Sequence, residues 1–100
     1  MNEETRTLLG FAAKSGNLVS GDNTCRAHLK SIKLVILSKD CSNETAGYFK
    51  KQFGNRCYQT GDRYELGIAI GKSPRTVIGI KDSQFARSIE KSMIGSMDEK

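Results

Sequence analysis

The residues of this chain best suited to chemistry are those that could grip an anion or read a polar edge, and they fall in two short stretches. The first runs Lys14-Ser-Gly-Asn-Leu-Val-Ser-Gly-Asp-Asn-Thr24, with Arg26 just beyond it. It joins a glycine-bounded turn to a polar helix start, so Gly21, Asn23 and Thr24 present backbone N–H groups and side-chain donors on a rigid frame. That arrangement suits an anionic ligand. The second stretch is Lys72-Ser-Pro-Arg75, in which two cations bracket a serine and a proline. An amide such as that of Asn23 both donates and accepts, whereas Lys14, Lys72 and Arg75 supply charge without an acceptor.

Catalytic constellations are not supported. His28 is the only histidine and has no acid beside it in sequence, which predicts a helix-surface or packing role. Asp40 and Glu44 read as a loop and helix-start pair favouring a positive helix terminus rather than a general acid and base. The segment Gly67-Ile-Ala-Ile-Gly-Lys-Ser73 imitates a phosphate-binding P-loop, but its glycines are one residue too close. It also follows a helical pattern and precedes a strand, the reverse of a P-loop's setting. Cys25, Cys41 and Cys57 have neither disulfide-framework nor metal-site spacing, and read as reduced, with Cys25 and Cys57 buried. Tyr48, Tyr58 and Tyr64 lack the spacing of an aromatic RNA-binding sheet and read as partly buried. The expectation is a protein with no enzymatic activity, no cofactor and no metal.

Charge narrows the class of partner. The chain of 100 residues carries a formal net charge of +5, and five of its eleven acids, Glu3, Glu4, Glu90, Asp98 and Glu99, sit towards the ends. Between Thr5 and Lys81 there are 13 Lys or Arg against 5 Asp or Glu, a net of +8. Such a body favours a polyanion such as nucleic acid. Hydrophobic residues make up 37% and charged ones 27%, ordinary for a soluble globular chain, and no apolar run approaches a membrane span. The amino terminus, Met-Asn-Glu-Glu, has neither a basic nor an apolar region, which predicts a cytosolic protein.

The elements that must position these residues alternate along the chain. An amphipathic helix over residues 4–14 turns Leu8, Leu9, Ala12 and Ala13 inward and ends at Ser15-Gly16. After a short strand at Leu18-Val19, a second helix opens at Ser20-Gly21-Asp22, where Ser20 or Asp22 can cap free amides. Its core face is Cys25, Leu29 and Ile32. The run Leu34-Val-Ile-Leu37 reads as a central strand covered on both faces. A third helix over about 43–53 buries Ala46, Phe49 and Phe53 and stops at Gly54-Asn55. A strand at Arg56–Gln59, a short helix capped by Asp62 and running through Ile70, and a strand at Arg75–Lys81 follow. The last helix, about 83–94, buries Phe85, Ala86, Ile89 and Met93. The expected fold is α/β, a three-layer α/β/α sandwich with a central four-stranded mixed sheet, forming one domain over residues 1–95 with a flexible tail over 96–100.

Three motifs in order, Ser15-Gly-Asn-Leu-Val-Ser-Gly21, Lys33-Leu-Val-Ile-Leu-Ser-Lys-Asp40 and Glu65-Leu-Gly-Ile-Ala-Ile-Gly-Lys-Ser73, resemble the bacterial YlxQ-type ribosomal-protein-like family. That family belongs with the kink-turn RNA-binding ribosomal proteins of the L-seven-Ae and L-thirty-e group, and the match covers about residues 6–90. The resemblance implies that the turn into the second helix enters the widened groove of a kinked internal loop near tandem G·A pairs. It makes Gly21, Asn23 and Thr24 the reading edge and Lys72, Ser73, Pro74 and Arg75 the opposing loop. Lys14 and Arg26 complete the RNA-binding set. Strong binders in the group resemble Gly-x-Asn-Glu-x-x-Lys, whereas this chain reads Gly21-Asp-Asn-Thr-Cys-Arg-Ala27. It keeps the Asn, has Thr24 for the Glu and Ala27 for the Lys, and adds the negative charge of Asp22. Loss of an acceptor for guanine and of one cation weakens binding or changes the preferred RNA, with Arg26 placed to supply charge from another angle. The implied function is non-catalytic recognition of kinked, structured RNA, ribosomal or from another ribonucleoprotein, with ribosomal or RNA-processing proteins as further partners. The alternative is a protein-interaction module that kept the fold and lost kink-turn recognition.

Overall fold

The computed structural model describes residues 1–98, with side chains through residue 95. Its elements are α1 (Glu3–Lys14), β1 (Leu18–Ser20), α2 (Asp22–Ala27), β2 (Leu34–Leu37), α3 (Asn43–Phe53), β3 (Cys57–Gln59), α4 (Arg63–Ala69), β4 (Val77–Ile80) and α5 (Ser83–Asp98). Single 3₁₀ turns at Leu29–Ser31 and Gly54–Arg56 lead into β2 and β3.

The sheet order is β1-β4-β2-β3. β4 runs antiparallel to both neighbours, with Leu18 opposite Ile80 and Leu37 opposite Val77, while β2 and β3 are parallel with Val35 opposite Cys57. The sheet is therefore four-stranded and mixed, as expected. Alternation along the strands divides the core in two. Leu34, Ile36, Ile78 and Ile80 face a layer of α1, α4 and α5, where they pack with Leu9, Leu66 and Ile89. Val35, Leu37 and Val77 face α2 and α3, where they meet Cys25, Ile32 and Phe49. This is the expected α/β/α sandwich. All four residues of β2 and of β4 are buried, because both strands are central and covered on both faces. Gly79 leaves room for Ile32: a Cβ there would lie 2.6 Å from Ile32 Cδ1.

Several local expectations are corrected. The second helix does not continue to Ile32. It ends at Ala27, and His28 adopts φ −120°, ψ 26°. The His28 N–H donates to the Cys25 carbonyl at 3.1 Å, a three-residue closure that tightens the last turn. Leu29 then turns in a 3₁₀ turn while Ile32 is buried from extended backbone. Cys57 is half-buried rather than buried, because β3 is an edge strand. Tyr64 is exposed on α4 rather than partly buried. Leu8, Ala13, Ala46, Phe53 and Phe85 are only partly buried around the two clusters. The last helix reaches Asp98 rather than about 94; residues 99 and 100 of the expected tail lie outside the described residues.

Candidate nucleic-acid interface

The interface is built at the end of the sheet where β1 finishes and β4 begins. Ser20 is paired opposite Ile78, and the N–H of Gly21 donates to the Val77 carbonyl at 2.9 Å, which fixes the entry of α2 beside the start of β4. Gly21 has φ +96°, a conformation that favours glycine. Neither Ser20 nor Asp22 caps α2: Gly21 is the N-cap, with no side-chain hydrogen bond to the helix start. Asn23 and Thr24, on the first turn, are exposed.

The loop of Lys72, Ser73, Pro74 and Arg75 is folded back on α4. The Lys72 N–H donates to the Gly67 carbonyl at 2.8 Å, and the Arg75 N–H donates to the Arg63 carbonyl at 3.0 Å. Gly67 is required for this approach, since a Cβ on it would sit 2.4 Å from the Ser73 carbonyl oxygen. Arg75 then ties the loop to the other stretch: its Nε donates to Ser20 Oγ at 3.1 Å, and its Nη1 donates to Ser73 Oγ at 2.7 Å and to the Ser73 carbonyl at 3.0 Å. Every acceptor is neutral, so no carboxylate offsets the guanidinium's charge. Lys72, Ser73 and Pro74 are exposed. Lys14, at the end of α1, joins them: Lys14, Lys72, Ser20, Gly10, Ala13 and Ile68 line one groove of about 560 Å³. Ile68, 73% exposed, adds an apolar surface to the same groove.

Arg26 has a different setting. It is paired with Asp22 one turn earlier, its Nη2 donates to Glu44 Oε1 at 3.0 Å, and its guanidinium lies 4.1 Å over the Tyr48 ring. Asp22 also accepts from Thr45 Oγ1 at 2.7 Å. The Arg26 hydrogen bond holds the Asp22 carboxyl below its ordinary value, against the opposing effect of burial. The same contact, with Glu44, raises the Arg26 pKa above its ordinary value. The network joins α2 to α3 and encloses Arg26 between two carboxylates.

Two further groups at this end were not singled out from sequence as anchors of the site. Arg63 donates from Nε to Asp40 Oδ2 at 3.1 Å and from Nη2 to the Asp40 carbonyl at 2.9 Å, tying the start of α4 to the segment between β2 and α3. Ser20 is the other anchor. The spacing of Asp22 and Arg26, four residues apart, is a visible pairing signal; nothing in sequence links Asp40 to Arg63 or Ser20 to Arg75. His28 is exposed, as expected, and its Nδ1 donates back to the Thr24 carbonyl at 2.8 Å. Burial pushes the Cys25 thiol up to about 12, the opposite of an activated nucleophile. Among the described residues no group of three or more His, Cys, Asp or Glu could hold a metal ion, and no helix is long and apolar enough to cross a membrane.

No protein-family model matches the chain. Over 104 residues it is 30% identical to the RNA-binding protein YlxQ of Enterococcus faecium, a match that covers 95% of this chain and 100% of that one. The chain belongs to the YlxQ family. A second member, the RNA-binding protein YlxQ of Bacillus subtilis strain 168, is 31% identical over 91 residues, covering 82% of this chain and 87% of its own. The solved structure of a protein with unknown function from Bacillus halodurans C superposes with a TM-score of 0.82 at 33% identity, covering 90% of this chain and 96% of that chain. Membership of the YlxQ family agrees with the expectation from the three ordered motifs.

Proposed function

We propose that this YlxQ-family protein is a non-catalytic RNA-binding protein that docks residues 1–95, as one domain, onto kinked, structured RNA in the cytosol. The observation that carries this reading is the Arg75 bridge to Ser20, which sets the cationic loop beside the exposed first turn of α2. Arg75, Lys72 and Lys14 position the phosphate backbone, Ser73 and Pro74 shape the loop, and Asn23 and Thr24 meet base edges beside Gly21, where backbone approaches closely. Arg26 acts within the same site by holding α2 in place. The names of the two curated relatives support RNA as the ligand. The resemblance to ribosomal proteins supports a ribosomal or other ribonucleoprotein RNA, and ribosomal or RNA-processing proteins as neighbours.

A second reading, a protein-interaction module on the same fold, is favoured by one specific feature. Thr24 and Ala27 stand where strong binders resemble Glu and Lys, and the remaining cation on that helix, Arg26, is already paired with acids. Fluorescence anisotropy on a kink-turn RNA and on the same RNA with its G·A pairs disrupted separates the two at fixed near-physiological salt. RNA recognition predicts clear preference for the intact motif; equal, weak binding to both would favour the interaction module.

A further inference from the structure

The opposite end of the sheet carries a second concentration of positive charge. Lys33 precedes β2, Arg56 precedes β3, and Arg87 lies near the start of α5. With Asn55, Ser83 and Glu90 they line a groove of about 580 Å³. Strand geometry places them together: the Lys33 N–H donates to the Ile80 carbonyl at 2.7 Å, and the parallel β2 and β3 pair Val35 with Cys57, so the starts of both strands share this end with the finish of β4. Lys81 follows β4 immediately.

These cations differ from Arg26, Arg63 and Arg75 in what holds them. Arg26 is held by Asp22 and Glu44, Arg63 by Asp40, and Arg75 by Ser20 and Ser73. The side chains of Lys33, Arg56 and Arg87 make no hydrogen bond or ion pair among the described residues, and all three are exposed. Two acids lie nearby, each held by a neutral donor: Glu90, in the groove wall, accepts from the Tyr58 hydroxyl at 2.7 Å, and Asp82 accepts from the Phe85 N–H at 2.9 Å. With Lys81 counted, four cations face two acids. The groove therefore offers two unengaged guanidinium forks and an ammonium around a concave polar floor, with Asn55 and Ser83 as neutral donors. Such a set matches phosphate oxygens along a nucleic-acid backbone.

We propose that the groove of Lys33, Arg56 and Arg87 is a second RNA contact, binding the phosphodiester backbone without reading sequence. It rests on RNA being the ligand of this protein. The full length of β2 and β4 separates it from the loop of Lys72 to Arg75, in a molecule measuring 32 × 29 × 24 Å. The proposal requires that lengthening the helical arms of a bound RNA along the protein adds contact with the groove. The groove adds affinity and salt dependence, and leaves the choice between RNA folds to the first site.

The test compares the parent protein with an Arg56→Gln, Arg87→Gln double variant on two kink-turn RNAs, one with minimal arms and one with each arm lengthened by a helical turn. The parent should bind the longer RNA about tenfold more tightly. The double variant should bind both alike, with a log–log salt slope on the longer RNA lower by about 2. Its preference for intact over disrupted G·A pairs and its melting temperature should stay at the parent's values. Lys33→Gln, scored in the same way, should give a smaller loss of the same kind and guards against a folding artefact in the double variant. A parent indifferent to arm length, or variants that keep the parent's gain and slope, would overturn the groove. Failure of the first site shows itself separately, as parent binding that ignores G·A disruption in the minimal RNA.

Discussion

The α2 edge and the Lys72–Arg75 loop hold their arginines in opposite ways, although they meet at Ser20. Arg26 is fixed by carboxylates, Asp22 and Glu44, and by the face of Tyr48. Arg75 is fixed by a serine hydroxyl on either side and by backbone carbonyls. Both side chains are ordered, but only the second keeps an uncompensated charge. Neutral acceptors orient a guanidinium while leaving its field directed at a ligand, whereas carboxylate partners cancel that field and turn the residue into a structural link. In the proposed interface the loop therefore carries the electrostatics and the α2 edge carries the shape and the base-reading amide of Asn23.

The largest effect that would break this division comes from Gly67→Ala. The new Cβ would meet Ser73 backbone, which cannot yield without displacing the loop, and overpacking of this kind costs about 2 kcal/mol. Chemical denaturation should show that loss, and RNA affinity should fall with it because Lys72 and Arg75 move together. Asp22→Ala acts on the other region. It removes the acceptor shared by Arg26 and Thr45, a partly exposed network, and should cost no more than about 1 kcal/mol while loosening α2.

The same carboxylate gives a pH signature with a definite sign. Asp22 has its pKa lowered in the folded protein, chiefly by the hydrogen bond from Arg26. Its contribution is thus present above the unfolded-state value and disappears as pH falls through the lowered folded value. Acid titration of stability should be flatter for Asp22→Asn than for the parent below about pH 4, with little difference near neutrality. A smaller change in stability, within about 0.5 kcal/mol, is expected for Lys72→Ala, whose side chain is exposed. That variant should instead lower RNA affinity and reduce the salt slope, and Asn23→Ala should erase the preference for intact G·A pairs at nearly constant stability.

What could be read from sequence followed the range of the forces involved. Leu34–Leu37 and Val77–Ile80 were legible as central strands because burial on both faces leaves an unbroken apolar run. Asp62 announced α4 as a local cap, and the structure completes it as a capping box with Glu65. The end of α2 was not legible. Cys25, Leu29 and Ile32 do all turn towards the core, but a helix, a 3₁₀ turn and an extended residue achieve this together, and spacing alone cannot separate that path from one continuous helix. Thr5 was missed for a different reason: its hydroxyl lies 2.6 Å from that of Ser92 across 87 residues of chain, so neither looks like a core residue until both are placed. At the interface, Gly21 and the basic loop were visible as residue types. The spacing of Asp22 and Arg26 signals their pairing, but the second carboxylate on Arg26, Glu44, and the Ser20 anchor of Arg75 are neighbours supplied only by the fold.

The most direct test of the division between edge and loop compares salt slopes for RNA binding in Arg75→Gln and Arg26→Gln. Binding is followed by anisotropy on an intact kink-turn RNA across a series of salt concentrations. The account predicts that Arg75→Gln lowers the slope by about 1, whereas Arg26→Gln leaves the slope at the parent value and changes only affinity. A slope that drops for Arg26→Gln and holds for Arg75→Gln would contradict it, placing the working charge on α2 rather than on the loop.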